Sequence, residues 1–552
     1  MAEYESFIET LEKSFKSNWD LDALTDYKGV TLQYKDVARK IEKLHILFEY
    51  SNVKPGDKIA ICGKNSSNWA VAFMATLTYG AVAVPILHEF KADNIHNIVN
   101  HSESKLLFAG DQVWENLNES DMPHLEGVIL INDYSLLVSR SKRLTQARQH
   151  LNEYFGKKYP KYFHQEQLKY RREKPDELAL INYTSGTTGF SKGVMLPYRS
   201  LRNNVDFAIH VVPLTPGMKV ISILPMAHMY GMAFEFLYEI TRGCQIFFLT
   251  RIPSPKIIFQ AFSEVKPHLI VAVPLIIEKI IRKNILPKLQ TPTVQILMKV
   301  PILNDKIKAS IRDKMIEAFG GNFYEIIVGG SSFSQEVDQF LHSIKFPYTV
   351  GYGTTECGPI IAYADWHEFK VGSCGKASYG MQVQIVSSDP QNIPGEIICK
   401  GPNVMLGYYK NKKATQDAID KKGWYHTGDL GVMDSEGNIT IKGRIKNLLL
   451  GPSGQNIYPE EIEDRLNNMS YVAESIVIMQ NEKLVALVYP DFDTVFSAGL
   501  TEEALAAEME KNRVELNKEL PAYSQIASIK IYHEEFEKTP KKSIKRFLYQ
   551  EA

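Results

Sequence analysis

The chain has 552 residues, which is too long for one ordinary domain, so we expect two or more. Its composition, 44% hydrophobic and 23% charged, is typical of a soluble globular protein. Because 63 Lys and Arg oppose 64 Asp and Glu, there is no global basic excess, and we do not expect a nucleic acid partner.

The N-terminus and the cysteines indicate a reducing compartment. The N-terminal sequence MAEYESFIETLEKSF lacks the apolar core of a signal peptide, and the chain has no run of about 18 apolar residues that could span a membrane. Cys62, Cys244, Cys357, Cys374 and Cys399 are far apart without a CxxC pair, which favours buried thiols over disulfides or a zinc site. We expect a cytoplasmic protein with at most peripheral contact at the inner membrane face.

The stretch NYTSGTTGFSKGVM, which begins at Asn182, has the composition of a phosphate-binding loop. It is not a Walker A loop (G-x-x-x-x-G-K-S/T), because Ser191 replaces the second glycine and Gly193 the hydroxyl residue. Pro197 would also fall inside the helix that a Walker loop requires, so the loop is predicted to join two strands, ALINY and GVML. Its glycines, hydroxyls and Lys192 can bind an anion. A flexible surface loop is the alternative interpretation.

Short apolar runs alternate with helical patterns in the rest of the chain. HLIVAVP (from His268) precedes the helix-like LIIEKIIRKN, and FYEIIVGG (from Phe323) precedes SQEVDQFLHSI and the strand-like YTVGYG. This alternation of strand-like and helix-like segments predicts a large α/β domain with mainly parallel sheets. After GRIKN the mixture changes to a helix, a hairpin-like pair, a charged helix and a last strand, which predicts a small α+β domain of about 100 residues. We expect domains 1–445 and 446–552, with the boundary near Lys446.

A series of motifs extends over nearly the whole chain. In order they are YGAVAVPI at Tyr79, YTSGTTGFSKGV at Tyr183, LPMAHMYG at Leu224, GGSSFS at Gly329, GYGTTE at Gly351, GWYHTGDLG at Gly423, GRIKN at Gly443 and NIYPEEIE at Asn456. The series resembles the adenylate-forming superfamily of acyl-CoA synthetases, luciferases and peptide-synthetase adenylation domains. The form GRIKNLLLGPSGQNIYPEEIED is most similar to bacterial long-chain fatty acid:CoA ligases.

The resemblance implies a large N-terminal α/β domain of several sheets, a small mobile C-terminal α+β domain, and a reaction in two steps. A carboxylate attacks the α-phosphate of ATP and expels pyrophosphate, and a thiol, normally that of coenzyme A, then attacks the acyl-AMP. Neither step needs a protein nucleophile, so catalysis should depend on positioning and charge stabilisation.

The resemblance also assigns the site. The loop and its lysine would hold the β- and γ-phosphates, Thr355 would donate to the α-phosphate, and Glu356 would hold Mg²⁺, which prefers oxygen ligands. Tyr352 would lie against the adenine. The residues expected to bind the nucleotide are Thr184, Ser185, Gly186, Thr187, Thr188, Gly189, Lys192, Gly329, Gly330, Ser331, Tyr352, Gly353, Thr354, Thr355, Asp429 and Arg444. The expected catalytic set is Thr187, Lys192, Glu356, Arg444 and Lys542.

Two further motifs would bind the nucleoside and form a hinge. By the resemblance, Asp429 accepts hydrogen bonds from both ribose hydroxyls, and Arg444 donates to the ribose or the α-phosphate. TGD and GR dipeptides are common in turns, but these two are separated by a probable hairpin, VMDSEGNITI, as in the family. Lys446 stands where the family has its hinge residue; a solvated lysine without a special role is the alternative.

The C-terminal segment FEKTPKKSIKRFLY departs from the family pattern. Aligned without gaps, it has Ser543 where the family has its adenylation lysine, with Lys541, Lys542 and Lys545 close by. We expect Lys542 to take this role, which requires a bulge or bent loop because Lys542 and Ser543 would face opposite sides of an extended strand. Slower adenylation without this lysine, or a solvated basic tail, are the alternatives.

The acid substrate is expected to be apolar. Amino-acid-activating relatives place an acidic residue after the LPMAH-type segment, but HMYGMAFEFLY is mostly apolar and aromatic, with Glu235 as the one candidate. An apolar pocket favours a fatty or aryl acid. The predicted substrate residues are His228, Tyr230 and Gly231; an ordinary core histidine is the alternative for His228.

The leading hypothesis is ATP-dependent activation of a medium- to long-chain fatty acid through an acyl-AMP, followed by transfer to coenzyme A. Expected cofactors and partners are ATP, Mg²⁺, coenzyme A and a fatty acid. One alternative is an aryl or amino acid adenylating enzyme that delivers to a carrier protein. A second is an ATP-binding protein whose adenylation activity has decayed, which the serine at position 543 motivates.

Overall fold

The structure is a computed structural model that describes residues 5–184, 192–250, 255–285, 291, 300–451, 455–481, 483–539 and 544–549. Strands and helices alternate through these residues, which confirms the predicted α/β class. All five cysteines are buried and free, as predicted. Among the described residues, no helix is long and apolar enough to cross a membrane.

The largest sheet of the described residues forms the centre of the N-terminal part. In spatial order its strands are Gly407–Tyr408, Lys192–Pro197, Leu178–Thr184, Val82–Ile86, Lys58–Cys62, Ser104–Ala109, Gly127–Leu130 and Leu136–Ser139. Neighbours from Leu178–Thr184 to Gly127–Leu130 are parallel, and both edges of the sheet are antiparallel. The parallel strands are continuous apolar runs such as KIAIC and VAVPI, because helices pack against the sheet and bury their side chains.

Smaller sheets complete this part of the chain. Two are largely parallel, with strands Lys219–Ser222, Gln245–Phe248, Asp22–Asp26 and Thr31–Gln33 in one and Ile270–Ala272, Ile326–Val328 and Tyr348–Val350 in the other. Two are antiparallel, with strands Tyr352–Gly353, Ile360–Tyr363 and Lys376–Ala377 in one and Gln382–Val386, Gly395–Lys400, Tyr425–Met433 and Ile439–Arg444 in the other. Residues 352–444 depart from the prediction of mainly parallel sheets, because the strands of these two sheets pair antiparallel.

Helices connect the parallel strands. The α-helices of this part are Phe7–Ser17, Tyr34–Tyr50, Ser67–Tyr79, Ala92–Ser102, Asp111–Trp114, Lys142–Gln149, Leu151–Lys158, Tyr198–Val211, Met229–Met232, Tyr238–Thr241, Pro255–Val265, Pro274–Asn284, Pro301–Ala318, Gln335–Ser343 and Lys412–Ala418. Helix Ser67–Tyr79 shows how local chemistry sets the bounds. Ser66 accepts a hydrogen bond from the Trp69 N–H at its start, and Gly80 ends it with a φ of 86°.

The C-terminal part folds around its own core, as predicted for an α+β domain. Its strands are Leu449–Leu450, Asn456–Ile457, Val472–Gln480, Lys483–Pro490 and Ile526–Ile531, and its α-helices are Pro459–Asn467, Phe492–Ser497 and Glu502–Glu519. The pair Val472–Gln480 and Lys483–Pro490 is antiparallel, and Ile526–Ile531 joins it in parallel after the crossover helix. Arg282 links this part to the rest by donating to the Asn467 carbonyl at 2.9 Å and to the Asn468 side chain.

Candidate active site

The phosphate-loop motif begins and ends in a β-hairpin. Strands Leu178–Thr184 and Lys192–Pro197 pair antiparallel, with Thr184 opposite Lys192, which confirms that the loop joins two strands. The predicted loop residues Ser185, Gly186, Thr187, Thr188 and Gly189 lie outside the described residues. The amide of the buried Asn182 donates to the Ala227 carbonyl at 2.8 Å, so the hairpin is tied to the segment that contains His228.

Tyr408 joins the phosphate-loop lysine to the predicted magnesium residue. Lys192 Nζ lies 4.9 Å from the centroid of the Tyr408 ring, within range of a cation–π interaction. The Tyr408 hydroxyl donates to Glu356 Oε1 at 2.9 Å. Strand Gly407–Tyr408 reaches this position by pairing with Lys192–Pro197. Burial raises the pKa of Tyr408, so its hydroxyl remains a donor.

Glu356 provides the carboxylate that the Tyr408 hydroxyl contacts. It lies in the short 3-10 turn Thr355–Cys357, and its carbonyl accepts from the Met405 N–H at 2.8 Å. No group of three His, Cys, Asp or Glu residues that could hold a metal occurs within the described ranges. One carboxylate still fits Mg²⁺, which commonly combines one or two carboxylates with phosphate oxygens and water. Glu356 would therefore hold Mg²⁺ together with the nucleotide.

The magnesium motif needs its glycine. A Cβ atom on Gly353 would lie 2.2 Å from the Pro359 carbonyl oxygen, so a larger residue would push the chain apart. Thr354, next along the chain, donates its backbone N–H to that same oxygen at 2.9 Å. Thr355 is mostly buried and Glu356 partly exposed, so the turn presents the carboxylate at the surface of the site.

Asp429 lies between Tyr352 and Arg444. The Tyr352 hydroxyl donates to Asp429 Oδ2 at 2.7 Å, and Arg444 Nε lies 3.1 Å from Asp429 Oδ1. Asp429 and Arg444 face each other in the hairpin of strands Tyr425–Met433 and Ile439–Arg444, which confirms the predicted hairpin. Burial raises the pKa of Asp429, and the charge of Arg444 and the Tyr352 hydroxyl oppose this shift. Each carboxylate oxygen can accept a further hydrogen bond, as a ribose would require.

Gly329, Gly330 and Ser331 follow the carboxyl end of the parallel strand Ile326–Val328, the edge at which open α/β sheets bind ligands. A Cβ atom on Gly329 would lie 3.2 Å from the Tyr230 ring, and Gly330 has a φ of 95°. Glycine meets the need for space at position 329 and for a positive φ at position 330 without strain. Ser331 is exposed.

The predicted substrate residues lie next to this strand end. The His228 side chain accepts from the Tyr230 N–H at 3.3 Å, and the Tyr230 hydroxyl donates to the Ile327 carbonyl at 3.0 Å. A Cβ atom on Gly231 would lie 2.9 Å from the Pro225 carbonyl oxygen, so this close turn requires glycine. Tyr230 thus lies next to Gly329, and we refer to the region around Gly329 and these three residues as the predicted cleft.

Glu235, the candidate partner for a substrate ammonium, is used inside the protein. It is fully buried in the π-helical turn Ala233–Leu237, and Oε2 accepts from the N–H groups of Ile223 at 3.0 Å and Leu224 at 2.9 Å. Burial raises its pKa well above the usual range. This carboxyl holds the 222–224 segment rather than facing the cleft.

Residues 540–543, which include Lys541, Lys542 and Ser543, lie outside the described part of the chain. The residues on both sides of them make defined contacts. On the two sides of this segment, Lys538 and Ile544 form an antiparallel β-bridge. Arg546 donates to both oxygens of the buried Glu463, one at 2.7 Å. The role of Lys542 stays a prediction.

Lys446 is exposed in the 3-10 turn Ile445–Asn447, which directly follows Arg444. The next residue, Asn447, donates to Glu460 Oε1 at 2.5 Å, at the start of the helix Pro459–Asn467. This turn is the covalent link between the hairpin that contains Asp429 and the C-terminal part.

Sequence reasoning missed one residue of this site, Tyr408. It belongs to none of the motifs, and its place depends on a strand pairing between residues 407–408 and 194–195, which are far apart in the chain. The one available signal was the run GYY beginning at Gly407, an aromatic pair typical of a short strand.

Comparisons with known proteins show which sequences and which fold this chain resembles. The chain is 27% identical over 559 residues to long-chain-fatty-acid–CoA ligase 5 of Rattus norvegicus, covering 92% of this chain and 80% of the relative. It is 27% identical over 534 residues to long-chain-fatty-acid–acyl-carrier-protein ligase AEE15, chloroplastic, of Arabidopsis thaliana, covering 83% of this chain and 72% of the relative. Its fold matches ATP-bound MatB from Rhodopseudomonas palustris with a TM-score of 0.75 at 20% identity, over 98% of each chain.

Two family models match two separate parts of the chain. Residues 447–551 match the family model described as AMP-binding enzyme C-terminal domain. Residues 11–409, well over half of the chain, match the one described as AMP-binding enzyme. The chain is therefore a member of the AMP-binding enzyme family.

Proposed function

We propose that this protein is an AMP-forming fatty acid:CoA ligase. The carboxylate oxygen of the acid attacks the α-phosphorus of ATP, the bond to the bridging oxygen breaks, and pyrophosphate leaves. The thiol of coenzyme A then loses its proton and attacks the acyl carbon, and AMP leaves with the electron pair of the broken C–O bond. The products are acyl-CoA, AMP and pyrophosphate.

One observation supports the proposal more than any other: the side chains expected to bind the nucleotide form two sets of contacts that one short segment connects. Lys192, Tyr408 and Glu356 form the set for the triphosphate, and Tyr352, Asp429 and Arg444 form the set for the nucleoside. The GYGTTE segment contributes Tyr352 to one set and Glu356 to the other, so the distance between the sets is fixed by a few residues of backbone.

In the adenylation step, the chain supplies position and charge. Lys192 and the phosphate-loop hydroxyls would hold the departing β- and γ-phosphates, and Asp429 and Tyr352 would fix the nucleoside. Mg²⁺ on Glu356 would neutralise charge that develops on the phosphate oxygens. Arg444 and Lys542 are the proposed donors to the α-phosphate, where negative charge accumulates in the transition state.

In the transfer step, the C-terminal part would move. We place the domain boundary between residues 445 and 446, with Lys446 as hinge, because this exposed turn directly follows Arg444 and precedes the C-terminal core. Only a few backbone dihedrals need to change at such a hinge. The contacts of Arg282 with Asn467 and Asn468 would have to break during the motion.

The apolar surroundings of Tyr230 support a fatty acid as the substrate. Tyr230 and its apolar neighbours, including Phe234 and Ile360, form a buried cluster, which favours an apolar acyl group. Glu235 is committed to backbone N–H groups, so no ammonium partner comes from this segment. The rat relative is named a long-chain fatty acid ligase, in agreement with this choice.

A carrier protein as acceptor is the second candidate, because one relative is named an acyl-carrier-protein ligase. The test is AMP release from ATP and Mg²⁺ with a panel of fatty, aryl and amino acids, with and without coenzyme A. We expect release that requires both a fatty acid and coenzyme A. Fatty-acid-dependent pyrophosphate exchange without AMP release when coenzyme A is added would favour a carrier. Bound ATP with neither pyrophosphate exchange nor AMP release under any acid would indicate an ATP-binding protein instead.

A further inference from the structure

A row of aromatic side chains leads from the predicted substrate residues to a cavity at the surface. Ring centroids are 6.3 Å apart for Tyr230 and Phe234, 5.9 Å for Phe234 and Phe207, and 5.2 Å for Phe207 and Tyr363. All four side chains are buried, and all belong to one apolar cluster. We call these four residues the aromatic row.

The inner end of the row lies next to Gly329, one of the residues expected to bind the nucleotide. The Tyr230 hydroxyl donates to the Ile327 carbonyl, two residues before Gly329. The Tyr230 ring lies so close to Gly329 that an added Cβ atom would be at 3.2 Å. An acyl group whose carboxylate meets the α-phosphate would therefore enter the row at Tyr230.

The outer end of the row forms a wall. Phe207 and Tyr363 line a surface cavity of about 390 Å³, and Tyr324, Asp365 and Tyr379 line its other sides. Tyr379 is 52% exposed, so this cavity opens to solvent. The rings of Phe207 and Tyr363 thus separate the buried apolar cluster from a solvent-exposed, partly polar cavity.

Polar anchors hold two members of the row in place. The Tyr363 hydroxyl donates to Oε1 of the buried Glu325 at 2.5 Å. Phe234 lies in the turn that Glu235 holds through the N–H groups of Ile223 and Leu224. Phe207, which has no polar atom and lies on the helix Tyr198–Val211, is held by packing alone.

We propose that Phe207 and Phe234 set the length of the acyl chain that this enzyme accepts. The apolar tail would lie along Tyr230 and Phe234 and end against the Phe207 ring. A longer tail would have to displace that ring toward the solvent-filled cavity, whereas a shorter one would leave apolar surface without contacts. This inference rests on the proposed function, since it needs a fatty acid in the cleft.

The test is the ratio of kcat/KM values for saturated fatty acids of increasing length, measured as AMP release with ATP, Mg²⁺ and coenzyme A. Phe207→Ala joins the interior to the cavity, so we expect the long-to-short ratio to rise about ten-fold or more. Phe207→Leu and Phe234→Leu keep more of the packing and should shift the ratio in the same direction by less. The ratio is independent of the fraction of enzyme that is folded, because both acids are measured on one preparation.

Tyr379→Ala is the matched control, because Tyr379 lines the same cavity but does not belong to the apolar cluster of the row, and it should leave the length ratio at the wild-type value. An unchanged ratio in folded Phe207→Leu and Phe234→Leu, with wild type active on fatty acids, would overturn the inference and leave the proposed function intact. Wild type that releases no AMP with any fatty acid would overturn both. A shift in Tyr379→Ala as large as in Phe207→Leu would place the length stop outside the row.

Discussion

The hydroxyl of Tyr408 donates a hydrogen bond to Glu356 Oε1 at 2.9 Å while its ring lies 4.9 Å from Lys192 Nζ. One side chain thus touches the cation expected to hold the leaving phosphates and the carboxylate expected to hold the metal. The hydroxyl also limits the directions in which that carboxylate can point. We therefore expect Tyr408 to position both groups.

Tyr408→Phe should weaken adenylation without changing the fold. The variant loses one hydrogen bond to a charged group, so we expect kcat/KM for ATP in pyrophosphate exchange to fall about ten-fold, partly restored by higher Mg²⁺ concentration. Tyr409→Phe is the control, because the neighbouring hydroxyl donates to Glu103 away from the cleft. Equal kinetics in wild type and Tyr408→Phe at every Mg²⁺ concentration would contradict this role.

Glu356→Ala should abolish acyl-AMP formation. Without the carboxylate, the charge of the triphosphate would lose its metal anchor, and we expect pyrophosphate exchange to fall on the order of a thousand-fold. The thermal unfolding temperature should stay close to wild type, because Glu356 is partly exposed. Turnover near the wild-type rate would show that another group binds the metal.

Lys446→Pro should separate the two half-reactions. Proline fixes φ in the turn that would rotate, so thioester formation should slow roughly ten-fold while pyrophosphate exchange changes little. Lys446→Ala removes the same side chain but leaves the backbone free, so it should behave like wild type in transfer. Equal losses in both half-reactions of Lys446→Pro would argue against a hinge here.

Glu239→Gln should stabilise the protein at alkaline pH. Glu239 is fully buried, and burial raises its pKa to about 8. The pKa of a glutamate in an unfolded chain is about 4.3. The folded state keeps a proton that the unfolded state loses, so the contribution of Glu239 to stability is full below the unfolded pKa and is lost as the pH rises to about 8.

The measurement is the thermal unfolding temperature of Glu239→Gln and wild type at about pH 5.5 and about pH 8.5. The variant's advantage should grow by about 2 °C or more at the higher pH. Glu317→Gln, which alters an exposed glutamate in the helix Pro301–Ala318, should show no such growth. An advantage for Glu239→Gln that is the same at both pH values would show that folding does not raise the pKa of Glu239.

Local sequence signals predicted the parts of the site that local chemistry determines. Pro197 after GVML excluded a helix and predicted the loop hairpin, and the turn residues of VMDSEGNITI predicted the hairpin that sets Asp429 opposite Arg444. The parts that depend on distant pairing were not predictable. Tyr408 reaches Glu356 through strand pairing with the 194–195 segment, and Glu235 points at backbone N–H groups that no periodicity reveals.

A structure of the protein with ATP and Mg²⁺ tests the central claim most directly. The β- and γ-phosphates should lie beside Lys192, with the metal on Glu356 and the ribose hydroxyls on Asp429. A triphosphate bound away from the Lys192, Tyr408 and Glu356 side chains would contradict the account.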